Sequence, residues 1–499
     1  MAINIITKTV NTDYERTLDG KQIVTQCNFD TQSRGGVSKL CALTGDVQII
    51  KAQTLSKQLK ISGRLALKLV YLDSDRQLKN FDYISDFAED LNDDCIVADM
   101  PCIVNAHIVD IQSGVSGNEI KVQTVIELTP AVVEISTNEV VADAEGALTL
   151  KEPACYQKYL GTIDEEFSLS EEYATGVKVD DVLLYDAKAI VLGVENNSDK
   201  LEVSGQAEIC LVYSAEGCVS TKNISIPFVQ QTAVTGENLT ACVNAKIKDS
   251  KLVIEGDEKD NVFKAYVTVA LSGFVMQSQE EDTVTDLYSP CNKLEVSQIQ
   301  TSYLKQTGVR KYEERISGSV AVEEGESIQS IVSAVVTQNT LSSLVAMDDE
   351  LLAEGVANTS VIYKNADGEN KCIQIELPYS LQFPSQGTCK DDVLSGNAIA
   401  TDCTYKKKRD KEVEITLAIL VSVCSRRKIT AQAVIGAEEG EALERNDSAV
   451  SIYLPDKGET IWQIAKTLGS SIEKIKEQNP DITNEMQGDE RIVIYREIG

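Results

Sequence analysis

Three stretches of this chain answer to one another, and any fold must accommodate all three. They are SGRLALKLVYLDSDRQ from Ser62, SGQAEICLVYSAEGC from Ser204 and EGVANTSVIYKNADGE from Glu354. In each, a Gly (Gly63, Gly205, Gly355) stands eight residues before a Tyr (Tyr71, Tyr213, Tyr363). A second landmark follows the Tyr by 31 to 34 residues: VNAHIVD around Asn105, VNAKIKD around Asn244 and GNAIATD around Asn397. A long strand candidate then closes each copy: EIKVQTVIEL, NVFKAYVTVAL and KEVEITLAILVSV. Chance supplies one such match, but not the same ordered set at offsets near 142 and 150. The sequence therefore predicts three homologous β-rich domains in tandem.

The alternation inside the copies says why they read as strands. Even positions after the Gly give Leu65, Leu67, Leu69 and Tyr71 in the first copy, and Ala207, Ile209, Leu211 and Tyr213 in the second. The third gives Ala357, Thr359, Val361 and Tyr363. Side chains alternate faces along a strand, so each set shares one side, with Arg64 and Lys68 on the other. The intervening segments, EEFSLSEEYATGVKVDDVLLYDAKAIVLG and EERISGSVAVEEGESIQSIVSAVVTQ, each read as strand, loop and strand feeding the next copy. Residues 1–40 are either a separate element or the leading strands of copy one. AEEGEALERNDS, residues 437–448, is acidic, poor in large apolar groups, and reads as the true linker.

Composition narrows the function. A net charge of −31 repels nucleic acid and anionic lipid, whose binders depend on clustered Lys and Arg. The one basic cluster, Lys406-Lys407-Lys408-Arg409, reads as a solvated turn between strands. No run of about 20 apolar residues predicts a transmembrane helix, and the first residues carry no secretory signal pattern. The 13 cysteines are odd in number and lack any C-x-x-C, so they read as small buried hydrophobes in a reducing cytosol. His107 is the only histidine, which excludes His-rich metal sites and leaves triad chemistry a single base; its own role reads as structural or surface. Phosphate-loop and dinucleotide fingerprints are absent. The reading is a protein that is no enzyme and uses no cofactor or metal. Paired carboxylates stay open among 78 acidic residues, so a wall hydrolase is the enzyme alternative.

After residue 449 the period changes from two to about 3.6. Thr460-x-x-Gln463 has capping-box spacing ahead of IWQIAKTL. Ile461, Ile464, Ala465 and Leu468 form one apolar stripe, and Gly469 ends the helix. Ser470-x-x-Glu473 repeats the capping spacing before a second short helix, with Ile472 and Ile475 facing inward and Asn479-Pro480 stopping it. Strands SIYL (451–454) and RIVIY (491–495) flank the pair, an order of β-α-α-β.

This tail resembles a LysM domain through Tyr453, the turn Asp456-Lys457-Gly458-Glu459-Thr460, Ile461-Trp462-Gln463-Ile464-Ala465, Asn479-Pro480, Gly488-Asp489 and Ile492-Val493-Ile494. The Gly-to-Tyr and Asn-Ala strands resemble SPOCS domains. Together they are similar to the SipL-type coat morphogenetic proteins of clostridia, over nearly the whole chain. The expected fold is mainly β. A first SPOCS-like domain with the N-terminal segment covers 1–140, a second 141–285 and a third 286–436; an acidic linker follows at 437–449 and a LysM-like domain at 450–499.

The resemblance implies a non-enzymatic scaffold in the mother-cell cytoplasm, at the forespore surface. Its LysM-like tail would dock on the coat basement-layer morphogenetic ATPase, and other coat proteins are further partners. The alternative is a binder of N-acetylglucosamine polymers at wall or cortex, although a chain without an export signal meets no mature wall glycan. In either case the resemblance assigns the binding loops to Asp456, Lys457, Gly458, Glu459 and Thr460, and to Asn479, Pro480, Asp481 and Ile482. Gly458 and Thr460 also suit a tight turn and a helix cap. Trp462, the single tryptophan, stays open between core packing, groove wall and partner anchor.

Overall fold

The computed structural model describes residues 3–256, 261–443 and 448–495. It is mainly β, and every ladder between named strands among those residues is antiparallel. The three Gly-to-Tyr stretches occupy middle strands of three-stranded meanders. Gln58–Leu72 lies between Lys39–Leu55 and Leu78–Asn92, and Lys200–Ala215 between Val179–Asn197 and Cys218–Thr235. Glu350–Asn365 lies between Ile328–Met347 and Asn370–Pro384.

A second sheet faces each meander, so the core sits in three sandwiches. In the first, Glu119–Glu134 pairs with Cys102–Ser116 on one side and with Tyr14–Thr17 and Lys21–Asp30 on the other. In the second, Asn261–Tyr288 runs between Leu148–Ala174 and Leu239–Gly256. In the third, Glu412–Ala442 runs between Asn292–Ala321 and Val393–Arg409. The residues that alternation places inside are inside: the twelve even positions are all at most 5% exposed. Each large apolar side chain so buried contributes about 1.5–3 kcal/mol.

The repeated glycines have a steric reason. Gly63, Gly205 and Gly355 pair across the meander with Phe87, Phe228 and Tyr379, whose rings lie over the bare backbone. A Cβ on these glycines would stand 2.3, 2.3 and 2.4 Å from ring atoms or the Tyr379 hydroxyl. The Asn-Ala strands share a different irregularity. Their registers slip at Ile108/Asp110, Ile247/Asp249 and Ala400/Asp402, bulges that follow each Asn at one spacing.

Those bulges are where the sandwiches meet. Gln48 of the first donates to Ile247 O (3.0 Å) and Lys248 O (2.8 Å) at the bulge of the second. Gln338 of the third donates to Val109 O (3.1 Å) at the bulge of the first. Between second and third, Ile190 packs on Ile399 and Leu420. A bulge leaves carbonyls outside the ladder, and buried carbonyls need donors, so the amides of Gln48 and Gln338 go there. First reaches second, second reaches third and third reaches first; the three are closed into a ring rather than strung out.

The residue before each Tyr is apolar and buried on the opposite face: Val70, Val212 and Ile362. Val70 and Val212 pack with Ala42, Leu184 and Val335, and Ile362 with Cys41 and Cys372. Both faces of these strands are thus covered at that end.

Residues 1–40 contribute leading strands. Asn4–Asn11 pairs with Thr137–Glu145, and Tyr14–Thr17 and Lys21–Asp30 join the first sandwich. The stretch read as linker begins as strand. Glu412–Ala442 continues pairing through Leu294↔Glu439 and Asn292↔Ala442, with Ala437 packed near Leu294 and Val296. Residues 444–447 of that stretch lie outside the described residues. Lys406 to Arg409 end a strand at a hairpin, where Asp410, Glu412 and Glu414 face Lys407 and Lys408. No helix among the described residues is long and apolar enough to cross a membrane.

Candidate functional site

The tail is built by local rules. Val450–Tyr453 pairs with Ile492–Tyr495, and helices α1 (Ile461–Leu468) and α2 (Ile472–Gln478) pack between them in sequence. Thr460 caps α1: its hydroxyl accepts from Gln463 N, and its own N–H donates to Gln463 Oε1 (2.8 Å). Gly469 closes α1 at φ 60°, in the left-handed region. The second cap falls one residue later than its spacing suggested. Ser471, not Ser470, accepts from Lys474 N (3.3 Å). Ser470 is engaged in ending α1, its N–H donating to Ala465 O and its carbonyl accepting from Tyr288 Oη.

Most of the candidate loop residues have structural work. Gly458 takes φ 85° and its N–H donates to Met486 O (2.8 Å), while Glu459 O accepts from Met486 N (2.9 Å). The Glu459 carboxylate accepts from Tyr453 Oη (2.7 Å) and Asp456 N (3.0 Å). Asn479 donates to Ile475 O and Val493 O and accepts from Val493 N, pinning the end of α2 to the last strand. Ile482 packs on the tail core. The backbone of Asp456 shares in that turn, and the residues Asp456, Lys457, Pro480 and Asp481 are exposed.

Trp462 sits at a seam inside the chain. It is buried with Ile461, Ile464, Ile475, Met486 and Ile494 of the tail, and also with Tyr288 of the second sandwich. The two rings meet edge to face at 4.9 Å, and Leu148 and Leu150 flank them. Its indole N–H donates to Asp286 Oδ2 (2.8 Å). Of the roles the sequence left open, the structure places this side chain in packing, but between the tail and the body.

A different surface of the tail is uncovered. Val450 and Ile452 alternate along one strand, with Leu454 one residue past its end, and Val450 and Ile452 oppose Tyr495 and Val493 on the other. Directly opposed residues share a face, so these five point away from the helices. Val450, Ile452, Leu454 and Tyr495 are 50–69% exposed. In the sequence this is a second apolar set out of phase with Tyr453, Ile492 and Ile494, and the inward set alone accounts for the fold.

Where the three sandwiches meet, a partly open cavity of about 430 Å³ lies between them. Asn105, Asn244 and Asn397 of the Asn-Ala strands line it together, with Asn244 Nδ2 donating to Asn105 Oδ1 (3.2 Å). Lys188 and Lys246 extend along its wall and donate to Gly45 O and to Val47 O, which fastens the second sandwich to the first. His107 is half exposed there, beside Glu127, its cross-strand partner. Comparison with protein-family models, curated proteins and solved structures returns no match.

Proposed function

We propose that this chain is a non-enzymatic adaptor of spore coat assembly, built from three repeated SPOCS-like domains and a LysM-like tail. It works in the mother-cell cytoplasm at the forespore surface, and the tail docks on the basement-layer morphogenetic ATPase of the coat. The ordered motifs in the repeats and tail support the family reading. The observation that carries docking is the outward strip of Val450, Ile452, Leu454 and Tyr495, since an apolar face of this size on a small sheet favours a protein partner. Two linked modules on one chain also suit bridging, because the second contact then forms at high effective concentration.

The test is capture of the purified ATPase by the full chain and by its Ile452→Asp/Leu454→Asp form. Capture is expected to weaken about tenfold or more, with Trp462 emission unchanged because the strip lies apart from the indole. Undiminished capture removes the strip from the reading. The second reading, an N-acetylglucosamine binder at wall or cortex, rests on the exposed Asp456, Lys457, Pro480 and Asp481. Co-sedimentation with insoluble peptidoglycan, without ATPase capture, would put it first.

A further inference from the structure

Two cysteines from different sandwiches meet at the seam between the second and third. Cys242 is on Leu239–Gly256 and Cys424 on Glu412–Ala442. Cys242 Sγ lies 2.9 Å from Ser395 Oγ, and Ser395 is the cross-strand neighbour of Cys424. Directly opposed residues share a face of the sheet, so Cys424 stands beside Ser395 on the side that Cys242 touches. Both cysteines line a cavity of about 30 Å³, together with Ser395, Asn244 and Asn397. That volume is about twice what one water needs, enough for hydrogen peroxide.

The surroundings favour one thiolate. Cys242 is drawn below its ordinary value first by the Cys424 S–H, then by Arg426 and the Ser395 hydroxyl, against burial and Glu15. Arg426 and Glu15 are the charged groups facing the pair, and they are ion-paired to each other. Among the described residues the buried Arg426 Nε–H has no hydrogen-bond partner. A thiolate beside a guanidinium is the reactive form of cysteine.

We propose that Cys242 and Cys424 are a peroxide-sensitive dithiol whose disulfide locks the second sandwich to the third. The Cys242 thiolate attacks one oxygen of hydrogen peroxide; an S–O bond forms, the O–O bond breaks, and the departing hydroxide takes a proton as water. Cys424 sulfur then attacks the sulfenic sulfur. An S–S bond forms, the S–O bond breaks, and the second water leaves with the Cys424 proton. Two thiols lose two electrons and one peroxide becomes two waters. A second inter-sandwich pair, Cys41 and Cys372, is sealed at 0% and 3% exposure in an apolar cluster with Leu72 and Ile362, and reacts later.

The experiment treats the folded full chain with hydrogen peroxide, alkylates remaining thiols and maps peptides without reduction. The expected product joins the Cys242 and Cys424 peptides, two hydrogens lighter than their sum, and dithiothreitol reverses it. It forms about tenfold faster in the native chain than in the urea-unfolded one, because the fold supplies proximity. Its rate rises with pH as Cys242 ionises, and the oxidised chain melts higher because a long loop is closed. Cys242→Ser and Cys424→Ser each abolish the link. Equal rates in folded and unfolded chain overturn the proposal, as does oxidation of the exposed Cys218 and Cys291 with Cys242 and Cys424 still free. The wild-type peptide map decides by itself if either variant fails to fold.

Discussion

Asp286 accepts from two residues of the tail at once. Trp462 Nε1 donates to its Oδ2 over 2.8 Å, and Lys466 Nζ lies 2.8 Å from both carboxylate oxygens. Asp286 belongs to the long strand Asn261–Tyr288 of the second sandwich, so one carboxylate holds the tail against the body. Asp286→Ala leaves a buried indole N–H unpaired, at a cost of about 1–3 kcal/mol. Because Trp462 is the only tryptophan, its emission reports the seam directly. The variant is expected to shift emission to longer wavelength and to expose the tail to proteolysis. Lys466→Ala, at an exposed partner, should cost under about 1 kcal/mol. An unshifted emission in Asp286→Ala would mean that Tyr288, Leu148 and Leu150 hold the tail without the carboxylate.

Gly205 has no room for a side chain: a Cβ would lie 2.3 Å from Phe228 Cζ and 2.4 Å from Ile190 O. Gly205→Ala must displace the ring or part the ladder, and overpacking of this kind costs about 1–3 kcal/mol. Gly436→Ala is the control. That glycine is on a strand with nothing within 4 Å of the added carbon, and its substitution should stay within about 0.5 kcal/mol. Phe228→Leu introduced with Gly205→Ala should recover part of the loss, since the two residues share one contact. Chemical denaturation of the three variants measures all of these terms.

The strands and the order of the tail were legible because their signals are local. Leu65, Leu67, Leu69 and Tyr71 alternate within one strand, and Thr460 and Gln463 cap a helix from its own first turn. The closing of the ring was not legible. It depends on Gln48 and Gln338 finding bulge carbonyls about 200 residues away in sequence, and on Ile190 packing against Ile399 and Leu420 at a similar remove. The Trp462–Asp286 contact is equally non-local, and no spacing rule connects the two. Two further features carry no local signal: the apolar Val70, Val212 and Ile362 before each Tyr, and the aromatic Phe87, Phe228 and Tyr379 opposite each Gly. Both become meaningful only when the neighbouring strand or sandwich is known.

Arg426 is held by Glu15, and both side chains are largely withdrawn from solvent, at 8% and 15% exposure. The Glu15 carboxylate raises the Arg426 guanidinium above its ordinary value against burial. Glu15→Gln keeps the shape and removes the charge, leaving a buried cation unpaired. Breaking such a pair costs about 3–5 kcal/mol. Arg426→Met combined with Glu15→Gln removes the stranded charge and should restore most of the stability. Thermal melting of the single and double variants checks it; a double variant no better than Glu15→Gln would show that packing rather than charge is at stake.

Glu208 sets a pH dependence of the opposite sign to that of most carboxylates. It is 8% exposed in the wall of the central cavity. Burial pushes its carboxyl up to about 7, with Glu313 adding to the shift and hydrogen bonds from Ser225 and Gln206 opposing it. The unfolded chain releases this proton near 4.5, so between there and about 7 the folded chain binds more protons. The contribution of Glu208 to stability is then complete below the unfolded value and is lost as pH rises through the folded one. Glu208→Gln keeps the neutral shape at every pH. It is expected to match the wild type in mild acid and to exceed it above neutrality by roughly 1–2 kcal/mol, after allowance for residual solvent screening. Subtracting the two melting curves cancels every other titrating group. A difference that is the same in acid and above neutrality would show that the Glu208 carboxyl is not held neutral by burial.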